Sequence, residues 1–336
     1  MTKTILICDD SKMARKQLLR SLPENLDAQV LQAEHGQEAL EILNEVSVDL
    51  LFLDLNMPVM DGYEVLDVLQ KTKTKVTTLV VSGDVQQQAR ERVKKLGALE
   101  FIKKPIQKVN LEKLTKALGL TTVEAETKHQ AAEPPAKEES KLNFRDVYQE
   151  IANVSMGQAG ELLAKMLGVF VTLPVPNVNM LELSDLEMIL TLASQDRATG
   201  ISQGFIGRGI TGEALLLIND MSIESLAKIM DYSGDMTQAI ERELVMDIAN
   251  ILIGAFLKSF GKQLNIAFNQ GHPNILGEHK RISNLMKLQS ENSQKIMAIE
   301  ITYGIENTDI NCSQLMLFTV ESVETLTKHM DFLTED

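Results

Sequence analysis

The chain has 336 residues, 44% of them hydrophobic, which is enough for two domains with separate cores. Its formal net charge of −14 is unevenly placed: residues 1–120 carry 17 basic and 17 acidic side chains, whereas residues 142–336 carry 13 and 25. An acidic half of that kind repels phosphate backbones, so a nucleic-acid-binding output is excluded and a partner with a basic face is favoured. No apolar run is expected to reach membrane-spanning length, and Asp9 and Asp10 interrupt the early apolar stretch that a signal peptide would need. The two cysteines, Cys8 and Cys312, fall in separate strand-like segments and read as reduced core residues. These features together predict a cytoplasmic chain with no membrane and no nucleic-acid partner.

In residues 1–120, short apolar runs at 5–8, 30–31, 50–53, 79–81 and 101–102 alternate with segments of helical periodicity. Five βα repeats predict an α/β domain, a doubly wound parallel sheet covered on both faces. In such sheets the functional crevice lies at the carboxyl ends of the strands. The polar residues fall there: Asp9 and Asp10 after the first run, Asp54 after the third, Ser82 after the fourth and Lys104 after the fifth. Three converging carboxylates repel one another unless a cation sits among them, and hard oxygen ligands in small number favour Mg²⁺. Lys104 and Ser82 add a positive charge and a hydroxyl suited to phosphoryl oxygens.

The sequences Cys-Asp-Asp-Ser (8–11), Asp-Leu-Asn-Met-Pro-Val-Met-Asp-Gly (54–62), Val-Ser-Gly (81–83) and Lys-Lys-Pro (103–105) carry a resemblance. Residues 1–120 resemble the receiver domain of response regulators, of the CheY type. The resemblance implies that Asp54 is the phosphoacceptor and that Asp9, Asp10, Asp54 and the Asn56 carbonyl hold Mg²⁺. It further implies that Ser82 and Lys104 bind the phosphoryl group, that Phe101 is a switch aromatic, and that a histidine kinase or phosphotransfer protein is the donor. A carboxylate nucleophile with a metal to neutralise charge is adequate for that transfer.

Residues 121–141 are rich in Glu, Pro, Ala and Lys, with Val123 the only larger aliphatic. Such a stretch cannot bury a core and reads as a flexible linker, with a reach of roughly 25 Å as a coil. Asn143 is placed to cap a helix that starts near Phe144 and runs to about Leu167. Strands are predicted at 169–178, 183–192, 204–212 and 215–218, followed by a helix over 222–230. Gly207, Gly209 and Gly212 spell GxGxxG, but an apolar strand follows where a dinucleotide site needs a helix, so a hairpin turn is predicted. The order then recurs: a long helix over 240–260, strands near 264–268, 283–288, 296–305 and 315–319, and a last helix. His272 and His279 flank a proline-containing loop with no further ligand in register, so no metal is expected there.

Within the first long helix, Asp146, Glu150 and Asn153 stand at i, i+4 and i+7 on one face. Phe144, Val147, Ile151 and Val154 form the neighbouring apolar stripe, so the polar trio is expected to look outward. Glu243, Asp247 and Asn250 repeat the spacing, both copies contain Ile-Ala-Asn, and Pro176 and Pro273 follow the two asparagines at the same distance. Leu217, Ser222, Glu224, Leu226, Lys228 and Met230 recur as Leu317, Ser322, Glu324, Leu326, Lys328 and Met330. A period near one hundred residues is too long for a solenoid and predicts a duplicated half-domain, with repeat halves near 142–235 and 236–336.

The first copy resembles the active-site motif of the CheC/CheX/FliY family of chemotaxis phosphatases: Asp or Ser, three residues, Glu, two residues, Asn, then 22 residues to Pro. Asp146, Glu150, Asn153 and Pro176 meet every position. The resemblance implies an α+β phosphatase domain over 142–336 in which Asn153 orients a water and Glu150 pairs with a receiver's phosphate-site lysine, with Asp146 and Pro176 in support. The second copy departs, with Glu243 first and the shorter Asp247 where the family has Glu, which implies a weaker site at Asp247 and Asn250, supported by Glu243 and Pro273. The whole chain therefore reads as a response regulator whose output hydrolyses the aspartyl phosphate of receivers, in a CheY-like partner or in its own receiver. The alternative is a non-catalytic interaction module controlled by phosphorylation of Asp54.

Overall fold

The computed structural model describes residues 3–23, 26, 28–106, 108–118, 144–182, 197–232, 237–281 and 295–334. The chain forms two compact units, Met1–Gly83 with Ala89–Glu150 and Asp84–Gln88 with Ile151–Asp336. The stretch expected to be a linker, Asn143, and the strands expected at 183–192 and 283–288 lie outside the described residues.

Residues 3–118 run β1 (Lys3–Cys8), α1 (Lys12–Ser21), β2 (Ala28–Ala33), α2 (Gly36–Glu45), β3 (Leu50–Leu53), α3 (Gly62–Thr72), β4 (Thr77–Ser82), α4 (Gln87–Lys95), β5 (Glu100–Lys103) and α5 (Lys108–Ala117). The strands pair in parallel in the order β2-β1-β3-β4-β5. Because side chains alternate across a strand, a continuous apolar run feeds two cores at once. Leu6, Cys8, Leu51, Leu53 and Val80 enter one core, while Ile5, Ile7, Leu50, Phe52, Leu79, Val81 and Ile102 enter the other. Ser11 caps α1 through a hydroxyl that accepts from the Ala14 amide, and Asp61 with Glu64 forms a reciprocal capping box on α3.

The later elements are α6 (Phe144–Leu167), β6 (Val171–Thr172), β7 (Asn177–Glu182), β8 (Arg197–Gly207), β9 (Ile210–Asn219), α7 (Asp220–Ile229), α8 (Gln238–Gln263), β10 (Asn269–Gln270), β11 (Asn274–Arg281), β12 (Lys295–Ile305), β13 (Asn311–Thr319) and α9 (Val320–Thr334). The strands form one antiparallel sheet in the order β10-β8-β9-β13-β12-β6, with β11 also on β8 and β7 also on β12. Among the described residues, each half thus contributes a long helix, four strands and a closing helix.

The duplication is visible at atomic detail. β9 and β13 are the equivalent strands, and they pair antiparallel with Leu215 opposite Leu315, residues one repeat apart. A pseudo-two-fold axis passing at that pair makes equivalent groups meet reciprocally. The Asn311 amide donates to Ser222 Oγ at 3.2 Å, and the Thr211 amide donates to Ser322 Oγ at 2.8 Å. The serines that recur in the sequence therefore satisfy backbone donors of the opposite half. Within the second unit α6 and α8 meet where Gln263 Nε2 donates to the Ile151 carbonyl and to Ser155 Oγ, both at 3.0 Å.

Several expectations need correction. Residues 264–268 are not a strand: α8 ends with its C-cap at Leu264, Asn265 takes a left-handed φ of 55°, and pairing begins only at β10. The strand expected over 169–178 is split, because Pro174 and Pro176 lack the amides a ladder needs, leaving β6 and β7 on either side. By length and composition α8 is long and apolar enough to cross a membrane, contrary to the expectation that no run reaches that length. Its apolarity serves packing: Leu244, Ile248, Leu252, Phe256 and Phe260 are all fully buried in the second unit. The GxGxxG stretch is a hairpin as expected, with Arg208 and Gly209 at φ 46° and 80° making a two-residue turn between β8 and β9.

The reciprocal serine contacts carry a stability prediction. Ser322→Ala should cost about 1 kcal/mol, because it removes the bond accepted from the Thr211 amide and the bond from Ser322 Oγ to the Thr211 carbonyl. Ser222→Ala, with the single longer contact to Asn311, should cost less; denaturant midpoints of the two variants in parallel check the order.

Candidate functional site

The carboxyl ends of the parallel strands hold the residues expected there, and backbone bonds pin Asp9, Asp54 and Lys104. The Asp9 amide donates to the Ala33 carbonyl at 3.1 Å, the Asp54 amide to Cys8 at 2.9 Å and the Lys104 amide to Ser82 at 2.9 Å. These bonds continue the sheet by one step beyond its strands, so five polar positions distant in sequence converge. Side-chain oxygens of Asp9, Asp10 and Asp54 all lie within 4.8 Å of one another. Lys104 Nζ stands 2.8 Å from Asp9 Oδ2 and 3.5 Å from Asp54 Oδ2. Ser82 is fully buried, Asn56 is half-buried, and Phe101 is half-buried with the Arg90 guanidinium 5.3 Å from its ring centre.

Burial and mutual repulsion dominate the electrostatics. Asp54 is held well above the ordinary carboxyl range by burial, with the Asp9, Asp10 and Glu150 charges adding to it and Lys104 opposing. Burial and then Asp9 push Asp10 up to about 7. For Lys104, burial favours the neutral amine, but the charges of Asp54, Asp9 and Glu150 outweigh it and hold the ammonium protonated. Among the described residues, neither buried Asp54 carboxylate oxygen has a hydrogen-bond donor. Four carboxylates around one lysine leave a deficit of positive charge, and oxygen-only donors of this kind fit a small divalent cation such as Mg²⁺.

The fourth carboxylate is Glu150. Its Oε1 lies 3.3 Å from Lys104 Nζ, and both residues belong to the first unit. Burial raises its pKa, while Lys104 and a hydrogen bond with Ser11 lower it. This overturns the expectation that the trio faces outward. Glu150 is 5% exposed and Asn153 3% exposed, because α6 is covered on more than its apolar stripe; only Asp146 remains half-buried. Asn153 Oδ1 is buried without a hydrogen-bond partner among the described residues. In α8 the equivalent trio behaves as expected of a helix surface, with Glu243, Asp247 and Asn250 all exposed. Pro176 is buried and Pro273 half-buried.

Two contributors were not singled out in the sequence. Arg15 is buried, and its Nη1 donates to the Asp9 carbonyl at 2.7 Å, fixing the turn that presents Asp9 and Asp10. Its position on α1, one turn after the acidic pair, was the available signal. Gly62 lets the chain pass close behind Asp54: a Cβ there would stand 2.2 Å from the Asp54 carbonyl oxygen. The His279 imidazole is engaged by Asp220 at 3.1 Å and Glu241 at 3.3 Å.

Comparison with known proteins gives a family for the first third of the chain. Residues 5–116 match the family model for the response regulator receiver domain. The chain is 32% identical over 108 residues to the chemotaxis protein CheY of Halobacterium salinarum, a match covering 32% of this chain and 89% of that one. It is 30% identical over 117 residues to a protein-glutamate methylesterase/protein-glutamine glutaminase of Syntrophomonas wolfei, and spans about a third (33%) of that relative's length. Among solved structures, a CheY-like receiver domain protein from Methanospirillum hungatei is similar at 25% identity and a TM-score of 0.33, covering 35% of this chain and 95% of that chain. FliY of Thermotoga maritima is similar at 17% identity and a TM-score of 0.43, covering 56% of this chain and 96% of that chain.

Two outcomes are expected from the pocket. Gly62→Ala should destabilise the protein by about 1–3 kcal/mol, since backbone rather than a mobile side chain opposes the added methyl; thermal unfolding of the variant checks it. Asp10→Asn, assayed with a chelator present, should stabilise by about 1 kcal/mol at pH 8. Because the folded pKa is raised from 3.8 to about 7, the ionised form is penalised above that value and the penalty fades as pH falls toward 3.8. The gain should therefore shrink at pH 5; an equal gain at both pH values would contradict the electrostatic account.

Proposed function

The chain belongs to the response regulator receiver family, and on that premise we propose that it is phosphorylated on Asp54 and that its later part hydrolyses the aspartyl phosphate of receivers. Asp54 attacks a phosphohistidine supplied by a histidine kinase or phosphotransfer protein. Asp9, Asp10, Asp54 and the Asn56 carbonyl hold Mg²⁺, which when bound neutralises the charge gathered on the phosphoryl oxygens. Ser82 and Lys104 bind those oxygens, and Phe101 reports the change as a switch aromatic. The setting is the cytoplasm.

An aspartyl phosphate in such a pocket already has its cation and lysine, so faster hydrolysis mainly needs a water held on the line of attack. Asn153 supplies that positioning. Glu150, one turn earlier on α6, pairs with the pocket lysine of the receiver being served, and Asp146 and Pro176 support the helix start and the adjoining loop. The observation that carries this reading is Asn153 itself: a buried carboxamide whose Oδ1 has no partner among the described residues, three residues after Glu150 on one helix. A buried acceptor left open in that way is a place for a water hydrogen. The substrate is a phosphorylated CheY-like receiver or the chain's own. Asp247 and Asn250, with Glu243 and Pro273, form a second and weaker site because the aspartate reaches one methylene less far.

The test follows acyl phosphate on a CheY-type protein mixed with catalytic amounts of the full chain, and on Asp54 itself. Asn153→Ala should lower the stimulated rate by roughly 10²–10³, the loss typical of one positioning group. Asn250→Ala should lower it less, and equal losses would sink the inequality of the two sites. No acceleration of either substrate by the folded chain would instead favour an interaction module without catalysis.

A further inference from the structure

We infer that Arg15 is a positioning residue of the cation site, and that its guanidinium sets how tightly the acidic pocket holds a divalent cation. The inference rests on the Mg²⁺ reading above and adds to it a residue that is not one of the ligands. Arg15 is 5% exposed, and every group it engages lies in the first unit. Its Nη1 donates to the Asp9 carbonyl at 2.7 Å and to the Asp10 carbonyl at 3.4 Å. Its Nε donates to Gln32 Oε1 at 3.1 Å and its Nη2 to Glu34 Oε1 at 2.6 Å. Gln32 and Glu34 are exposed, on β2 and just after it, so the guanidinium ties the acidic turn to the neighbouring strand.

Peptide groups are planar, so fixing successive planes fixes the side chains between them. Three successive planes are fixed here. The Asp9 amide donates to the Ala33 carbonyl at 3.1 Å, which holds the plane before Asp9. Arg15 holds the plane after it through the Asp9 carbonyl. The next plane is held at both ends, by Arg15 on the Asp10 carbonyl and by the Ser11 amide donating to Asp9 Oδ1 at 2.9 Å. Without these ties the turn could swing its carboxylates apart, as their mutual repulsion favours, and a cation would have to gather them again on binding. Among the described residues the Arg15 bonds go to backbone carbonyls, Gln32 and Glu34, and none to the pocket carboxylates. The guanidinium therefore orders the ligands without taking the place of the cation. A lysine at this position would keep the charge but lose the planar fork that reaches both carbonyls and β2 at once.

The deciding experiment titrates the full chain with Mn²⁺, read from the electron paramagnetic resonance signal of the free ion, with Mg²⁺ as competitor. Wild-type chain should bind Mn²⁺ saturably and release it to Mg²⁺, and Asp10→Asn, which removes a ligand, should lose most of that binding. Arg15→Lys should weaken it roughly 10–100-fold, the loss typical of a group that orients a metal ligand. Leu19→Ala, on the same helix and packed against the core, lowers stability without touching the turn and should bind as wild type does. Equal affinity of wild type and Arg15→Lys, or an equal loss in Leu19→Ala, overturns the positioning role and leaves the Mg²⁺ reading standing. Absence of saturable binding in the wild type, or binding untouched by Asp10→Asn, overturns that reading and the inference with it. If Arg15→Lys does not fold, the double variant Gln32→Leu with Glu34→Ala keeps the guanidinium and removes its exposed anchors. That variant should bind Mn²⁺ more weakly than wild type, and unchanged affinity overturns the inference.

Discussion

The charge deficit at the ends of the parallel strands is the constraint on which the rest depends. Asp9, Asp10 and Asp54 are brought together by a sheet whose core is apolar on both faces, so their repulsion is opposed by packing and not by nearby water. Lys104 is the cation within ion-pair distance of Asp9, Asp54 and Glu150, and it stays protonated because those charges outweigh its own burial. A pocket so poised gains from each positive charge it takes in. That property suits binding of a divalent cation, and it also suits chemistry that places a phosphoryl group beside a lysine.

The second unit solves a different problem, that of making one sheet from two copies of a half-domain. Neither copy covers its own edge: β9 and β13 are edges until they pair with each other, and the pairing places Leu215 against Leu315. The exchange of serine contacts across the axis means that each half completes hydrogen bonds of the other. Symmetry of scaffold leaves the two helix faces free to diverge. Glu243, Asp247 and Asn250 remain on a solvated surface, while Glu150 and Asn153 are buried.

That divergence bears on chemistry. An exposed acid on a helix is screened by water and contributes little to its neighbours. A buried one, as at Glu150, interacts strongly with whatever charge faces it, and here that charge is the Lys104 ammonium at 3.3 Å. The same spacing therefore meets unequal environments in α6 and α8.

Much of this was legible in the sequence alone. The strand runs ending in Asp10, Asp54, Ser82 and Lys104 determined the parallel sheet and its crevice, because a residue after a buried strand has few places to go. The echo of Leu217 and Ser222 in Leu317 and Ser322 determined the duplication, and the spacing of Glu150 and Asn153 placed both on one helix. Tertiary structure decided what periodicity cannot express. Helical spacing assigns residues to a face but does not say what covers that face, so the burial of Glu150 and Asn153 was read as exposure. Mean hydropathy does not distinguish a helix buried on several sides, such as α8, from one that meets lipid. The support of Asp9 by Arg15 and the close passage of Gly62 behind Asp54 depend on distances between segments remote in sequence, and only folding brings those segments within bonding range.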